Sequence, residues 1–365
     1  MHLVINATEV GRQRGGNESY ITGIVDGLAA LDPAIEISLL TCDWGRPLKL
    51  PPQFRQFSLG PYRRLPFLLW QQTLMLRRLQ ADWYLSNFFL PPILPCAGAV
   101  AVHDVSFRAH PDYFPKTVAI YMKWLTGLAI RQSTRVLTCS DYSRQEIQRF
   151  YHVKPTKIVS MPYGVTTEFQ PMSCEIESVH EDAVLSKYGL SQPFIFAIGN
   201  IHPRKNLGRL LDAYLQLKEN RPDLPAMVWG GLQRWESNDL VERALTAGVI
   251  LPGFIEQADL PTLYRQAKML IYPSLYEGFG LPPVEAMACG TPVIVSNTTS
   301  LPEVVGEAGL LVDPLDTASI AAAIANLLDD QALYNRLKEE GLRRAGQYTW
   351  KRTAVELLAA LEIDA

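Results

Sequence analysis

The chain has 365 residues, 48% of them hydrophobic and 19% charged, with a formal net charge of −3. That length exceeds what one hydrophobic core usually organises, and that composition excludes a disordered or coiled-coil chain. Cysteines 42, 96, 139, 174 and 289 are scattered, with no CxxC or Cys/His cluster, so neither a disulfide framework nor a zinc site is expected and a reducing, cytoplasmic setting fits.

The opening MHLVINATEV lacks the charged start and long apolar stretch of a signal peptide. No run approaches the ~18 apolar residues that suggest a membrane span. From there short apolar runs alternate with amphipathic segments. Residues 2–7, 35–41, 82–86, 98–103, 135–139 and 157–161 predict strands, and 17–31, 66–80, 115–133 and 141–150 predict helices. Residues 171–192, acidic and rich in turn formers, predict a linker. The alternation then restarts, with strands predicted at 194–199, 226–231, 248–253, 269–274, 291–296 and 309–313. Leu207, Leu210, Leu211, Tyr214 and Leu215 recur at helical spacing and predict a helix over 206–218, and 258–268 and 318–328 behave alike.

Apolar strands alternating with helices imply parallel sheets covered on both faces. Two such series imply an α/β chain of two doubly wound, Rossmann-like domains facing each other across a cleft, which is the default active site. The charge divides unevenly between them: residues 1–170 hold 18 Lys/Arg against 12 Asp/Glu, and the remainder 16 against 25. A basic first half points to anionic partners such as phospholipid head groups or lipid diphosphates, with no nucleic acid expected. Ordinary scatter between domains explains it as well.

Four stretches carry chemistry. In SLYEGFGLPPVEAMACG (274–290), Glu277 leaves a strand and Glu285 falls in the first turn of the next helix. Pro282 and Pro283 suit a helix start, and Gly290 its end. Carboxylates that accept from paired hydroxyls, flanking N–H donors at Phe279, Gly280 and Leu281, suit a molecule with diols at both ends and a diphosphate between. The bland alternative is one glutamate capping a turn and the other complementing the helix dipole. In FIFAIGNIHPRKN (194–206), Arg204 and Lys205 precede a helix and form a candidate diphosphate clamp, or a solvated basic turn. RQRGGNESY (12–20) places Gly15 and Gly16 between a strand and a helix. AVAVHDVSF (99–107) puts His103 and Asp104 at a strand end, where the imidazole would contact a sugar hydroxyl or handle a proton.

Together these stretches resemble the retaining, group 1 glycosyltransferases of family four, which have the GT-B fold. The most specific part is 251–314, where Glu277 and Glu285 meet the family's Glu-x7-Glu spacing. The resemblance implies that Glu277 contacts the transferred sugar and Glu285 the ribose. It gives Arg204 and Lys205 the diphosphate, His103 the donor sugar from the N-terminal domain, and Gly16 the phosphates or acceptor. The backbone of Phe279, Gly280 and Leu281 would bind sugar hydroxyls or phosphate, and that around Phe254 the base. Asn200 stands where some members carry arginine, and RGGNESY replaces the commoner glycine–isoleucine–glycine loop. The implied domains are 1–172, binding acceptor, and 190–347, binding nucleotide sugar, with 348–365 packing back on the first.

The expected reaction moves a hexose, mannose first, from a nucleotide-diphosphate sugar to a saccharide or lipid-linked acceptor in cell-surface polysaccharide or glycolipid synthesis. GDP-mannose is the first donor candidate, with UDP-sugars open. No DxD motif is present, so no metal or other cofactor is expected. Alternatives are a glycoside hydrolase, which leaves Arg204 and Lys205 unexplained, a sugar-nucleotide epimerase, and a non-catalytic sugar-nucleotide-binding partner. Arg63, Arg64, Arg77 and Arg78 bracket an apolar stretch in 61–80 that would lie on an anionic membrane, or pack as an ordinary helix. The expected location is cytoplasmic, with peripheral contact at the inner face of the membrane.

Overall fold

This computed structural model describes residues 1–12, 16–44, 48, 50–172, 177–232 and 238–363. Gly15 and Cys174, named above, lie outside the described residues. Two compact units emerge: Met1–Thr166 with Tyr348–Ala365, and Thr167–Gln347.

The first unit holds seven parallel strands: β1 (His2–Asn6), β2 (Glu36–Asp43), β3 (Arg55–Pro61), β4 (Trp83–Asn87), β5 (Ala97–Ala101), β6 (Arg135–Thr138) and β7 (Ile158–Ser160). Their order is β3-β2-β1-β4-β5-β6-β7. Residues on both faces of β1, β4 and β5 are buried, which is why these strands read as unbroken apolar runs. β3 was not anticipated. It is an edge strand whose sequence, RQFSLGP, begins with exposed Arg55 and Gln56, so it carries no apolar run to find.

Right-handed crossovers fix which helices share a face. The connections β3–β4, β5–β6 and β6–β7 all step the same way across the sheet, so their helices lie on one side. Leu76, Ala129, Ile130 and Ile147 from those helices indeed meet Val4, Tyr84, Val100 and Val136 in one core. The step β1–β2 runs the opposite way and puts helix Gly16–Leu31 on the other side. There it packs against the C-terminal helix Trp350–Ala360. The approach is close: a Cβ at Gly23 would fall 2.0 Å from the Trp350 ring, and one at Gly27 2.2 Å from its carbonyl oxygen. Arg135 Nε donates to Ala360 O at 3.0 Å and holds the far end of the same helix.

The second unit has six parallel strands: β8 (Phe194–Ile198), β9 (Ala226–Gly230), β10 (Ile250–Gly253), β11 (Ala267–Tyr272), β12 (Val293–Ser296) and β13 (Gly309–Val312). Their order is β10-β9-β8-β11-β12-β13. Leu210, Leu211 and Tyr214 of helix Leu207–Lys218 pack with Ile320, Ile324 and Leu327 of helix Thr317–Asp329 over β8.

The predicted linker contains a helix, Glu177–Lys187. Its acidic sequence disguised it, because two of its charges are used internally. Buried Glu181 accepts from Arg265 Nε at 2.6 Å, and Lys187 Nζ lies 2.7 Å from Asp259. Cys42, Cys96, Cys139 and Cys289 form no disulfide. Among the described residues no helix is long and apolar enough to cross a membrane.

Candidate functional site

The second unit gathers its charged groups at the carboxyl ends of β8 and β11, where open parallel sheets bind ligands. After β8 the chain forms a short turn, Pro203–Lys205, and enters helix Leu207–Lys218 through Asn206. Asn206 Nδ2 donates to Pro273 O (3.1 Å) and Pro314 O (2.6 Å), and Leu275 N–H donates to Arg204 O at 2.7 Å. These bonds bind the cationic turn to the loop that follows β11.

That loop carries Glu277. Its Oε1 lies 2.7 Å from Arg204 Nη1 and 2.7 Å from Lys205 Nζ. Lys205 Nζ also donates to the Tyr272 hydroxyl, and Arg204 Nη1 to Tyr276 O at 3.0 Å. Lys205 and Glu277 are both buried, so the pair is not a solvated basic turn. Burial alone would raise the Glu277 carboxyl, but the two cations outweigh it and hold it at about 2. Glu277 is therefore ionised throughout the physiological range, and the cluster carries a net positive charge.

Glu285 sits in different surroundings. The helix begins at Leu281, which makes Glu285 its fifth residue, in the second turn rather than the first. Its carboxylate is buried and accepts from the Tyr264 hydroxyl at 2.8 Å. Burial pushes Glu285 up to about 7, and only the Tyr264 hydrogen bond works against that. A buried carboxylate this far into a helix does little for the helix dipole, whose influence fades after the first turn.

Between the two glutamates the backbone turns at Gly280, with φ of 103°. A side chain there would be strained, and its Cβ would fall 2.6 Å from Leu301 Cδ2. Ser300 Oγ donates to both Glu277 O and Phe279 O at 3.0 Å, fixing the loop. The Phe279 side chain is buried, so only its backbone is offered outward. Pro282 and Pro283 lack N–H groups, so Leu281 is the only one of the first three helical residues with a donor. Phe254 stands apart from this cluster, 43% exposed, just beyond β10.

In the first unit His103 follows β5. Its Nδ1 is hydrogen-bonded to the Tyr163 hydroxyl. Burial lowers its pKa to about 3, so the ring is neutral at physiological pH and a poor base. Asp104 does not form a dyad with it: Asp104 Oδ1 accepts from Ser106 N–H (2.8 Å) and Oγ (2.6 Å). A neutral ring suits hydrogen bonding to a hydroxyl better than taking up a proton. Gly16 opens helix Gly16–Leu31, is exposed, and has nothing within 4 Å of where a Cβ would stand. The protein's own packing does not require glycine there.

Sequence reading missed two polar residues of this region, Asn87 and Tyr20. Asn87 ends β4 in register with Ala101, two residues before His103. Tyr20 of helix Gly16–Leu31 approaches the same histidine, its ring centroid 4.7 Å from that of His103. The Asn87 amide, His103 Nε2 and the Tyr20 hydroxyl are all shielded from solvent without a hydrogen-bond partner. Buried polar atoms left so are rare and costly, and three together mark a place made to meet hydrogen-bonding groups. Only tertiary structure unites Tyr20 and Asn87 with His103, so no local motif announces those two. Among the described residues no group of three or more His, Cys, Asp or Glu side chains is placed to hold a metal.

The family described as Glycosyl transferases group 1 matches residues 185–344, and Glycosyltransferase Family 4 matches residues 14–169. The chain is 38% identical over 317 residues to the O-antigen chain mannosyltransferase B of Escherichia coli, covering 82% of this chain and 81% of that one. The chain belongs to the group 1, family four glycosyltransferases. A second relative of this glycosyltransferase, the serotype-specific mannosyltransferase WbdA of Escherichia coli, is 32% identical over 225 residues, 60% of this chain and 27% of that much longer one. Among solved structures, sucrose-phosphate synthase from Thermosynechococcus elongatus superposes with a TM-score of 0.78 at 20% identity, over 99% of this chain and 98% of that one. That likeness concerns the fold alone, which is GT-B. These relatives do not favour the epimerase or the non-catalytic alternative for this glycosyltransferase.

Proposed function

We propose that this glycosyltransferase moves mannose from GDP-mannose, with retention at the anomeric carbon, to a saccharide or lipid-linked acceptor of a cell-surface polysaccharide, working peripherally at an anionic membrane. The mannosyltransferases among its relatives support the sugar and the setting. The observation that carries the reading is the buried cluster of Arg204, Lys205 and Glu277. A glycoside hydrolase has no use for two cations clamped beside a carboxylate, whereas a departing diphosphate does.

In this reading Glu285 holds the ribose diol and the backbone around Phe254 meets the base. Arg204, Lys205 and the Leu281 N–H take the diphosphate. Glu277 holds the two cations together and accepts from hydroxyls of the transferred sugar. On the first unit, Gly16, Asn87 and His103 serve substrate hydroxyl or phosphate groups. The bond from the anomeric carbon to the diphosphate oxygen breaks, and the acceptor oxygen bonds to the same face of that carbon. The acceptor proton passes to the departing diphosphate, so the nucleoside diphosphate leaves carrying it. The protein's share is to stabilise charge on the leaving group and to position both reactants. Neutral His103 fits this scheme as a hydrogen-bonding group.

The test is direct. The protein is incubated with GDP-mannose or UDP-sugars and a mannose-terminated acceptor, and the product linkage is read by NMR. Acceptor-dependent formation of an α-mannoside from GDP-mannose is expected. Release of free sugar at the same rate without acceptor would overturn the reading.

A further inference from the structure

Three connections of the first unit lie on one side of its sheet, and two of their helices turn unusually apolar surfaces outward. In the helical stretch 64–78, Leu69, Trp70 and Leu74 are each about half exposed or more. In helix Lys116–Gln132, Ile120, Trp124 and Leu128 repeat every four residues, opposite the buried Ala119, Thr126 and Ala129. Trp124 is 71% exposed, which no packing role explains.

The two helices are neighbours through the segment after β4. Thr73 Oγ1 donates to Ile93 O at 2.7 Å, and Gln132 Nε2 donates to Pro91 O at 3.0 Å. Ile93, which accepts the first of these bonds, is itself 60% exposed. The apolar surface therefore runs from one helix to the other. Scattered exposed apolar residues need no explanation, but a contiguous patch with an exposed tryptophan does.

The charges around the patch choose its occupant. Arg63, Arg77 and Arg78 flank the first helix, and Lys116, Lys123 and Arg131 lie along the second, all exposed. Neither helical sequence contains an acidic residue. A second copy of the chain docking on this face would set six cations against six. An anionic bilayer answers both features, taking leucine and indole side chains at its interface and holding lysine and arginine at its head groups.

We propose that this two-helix face is the membrane-docking surface, that its partner is an anionic phospholipid bilayer, and that Trp124 and Leu128 are its inserting anchors beside Leu69 and Leu74. This deepens the peripheral-membrane reading given above and rests on it.

The experiment is co-sedimentation of the full chain with phosphatidylcholine vesicles, with and without phosphatidylglycerol. Wild type is expected to pellet with phosphatidylglycerol vesicles at low salt and to release as salt rises. The double variants Trp124→Glu/Leu128→Glu and Leu69→Glu/Leu74→Glu are expected to lose about tenfold or more in vesicle affinity. Trp124→Phe should retain most of it. All four substituted positions are exposed, so melting temperature and turnover on a soluble saccharide acceptor should be unchanged. Wild type that stays in the supernatant with phosphatidylglycerol vesicles would overturn the proposal. So would undiminished vesicle binding by both double variants. A wild-type dimer dispersed by the same substitutions, with no vesicle binding, would assign the face to a second copy instead. Vesicle binding with no transfer to any acceptor would spare this surface and sink the proposed reaction.

Discussion

Glu277 and Glu285 stand eight residues apart, are both buried, and flank one glycine-bearing turn, yet their surroundings oppose each other. Glu277 is enclosed by two cations and held at about 2. Glu285 faces one tyrosine hydroxyl and is pushed up to about 7. Neighbouring cations keep the first ionised at every working pH. Burial leaves the second balanced between its two forms near neutrality. Identical side chains at matched spacing are thus given different work by what the fold brings beside them. One manages charge around the diphosphate, and the other can accept from both hydroxyls of a diol through its two oxygens only when it has lost its proton.

The sharpest way to break this contrast is to remove a cation. Lys205→Met leaves Arg204 alone beside Glu277 and takes away half of the charge meant for the leaving group. Turnover should fall by about 10²–10³-fold in steady-state assays, the usual cost of losing one transition-state donor. A loss of less than about threefold would place leaving-group stabilisation elsewhere.

Stability against pH should separate the two carboxylates by sign. An ordinary glutamate in the unfolded chain titrates near 4.5. Glu277 lies below that value when folded, so its contribution is present above pH 4.5 and is lost as pH falls toward 2. Glu285 lies above it, so its contribution is full below pH 4.5 and is lost as pH rises through about 7. Glu277→Gln should therefore destabilise the ligand-free protein at neutral pH. Glu285→Gln should stabilise it at pH 8, by something on the order of 3 kcal/mol, and change little at pH 4. Denaturant melts at the two pH values check both. Equal effects of the two substitutions at pH 8 would erase the distinction.

A milder effect belongs to the first unit. Asn87→Ala removes one of the three shielded polar groups, the others being His103 Nε2 and the Tyr20 hydroxyl. The KM for acceptor or donor should rise about five- to tenfold, with kcat less affected, as expected for one neutral hydrogen bond. An unchanged KM for both substrates would make Asn87 a bystander.

Much of the fold was readable in the sequence, because parallel strands buried on both faces leave continuous apolar runs, as in FIFAI of β8 and AGAVA of β5. What escaped reading lacked that signature. β3 is a polar edge strand, and helix Glu177–Lys187 buries Glu181 against Arg265 and pairs Lys187 with Asp259, which its acidic sequence does not announce. The site divides in the same way. The spacing of Glu277 and Glu285, and Arg204 beside Lys205, are local patterns that a reader can weigh. Arg204 and Lys205 beside Glu277, and Tyr264 beside Glu285, give the two glutamates their different surroundings and are brought there from other segments by the fold. The sequence shows two like carboxylates, and only the packing shows that they differ.

Calorimetric titration of GDP into wild type, Glu285→Gln and Glu277→Gln at pH 8 tests this division of labour most directly. The account predicts that Glu285→Gln loses about tenfold or more in affinity, the loss of a charged acceptor for the ribose hydroxyls. It predicts that Glu277→Gln binds GDP as tightly as wild type or more so, because Arg204 and Lys205 are freed from their carboxylate. Equal affinity in wild type and Glu285→Gln, or a loss confined to Glu277→Gln, would contradict it.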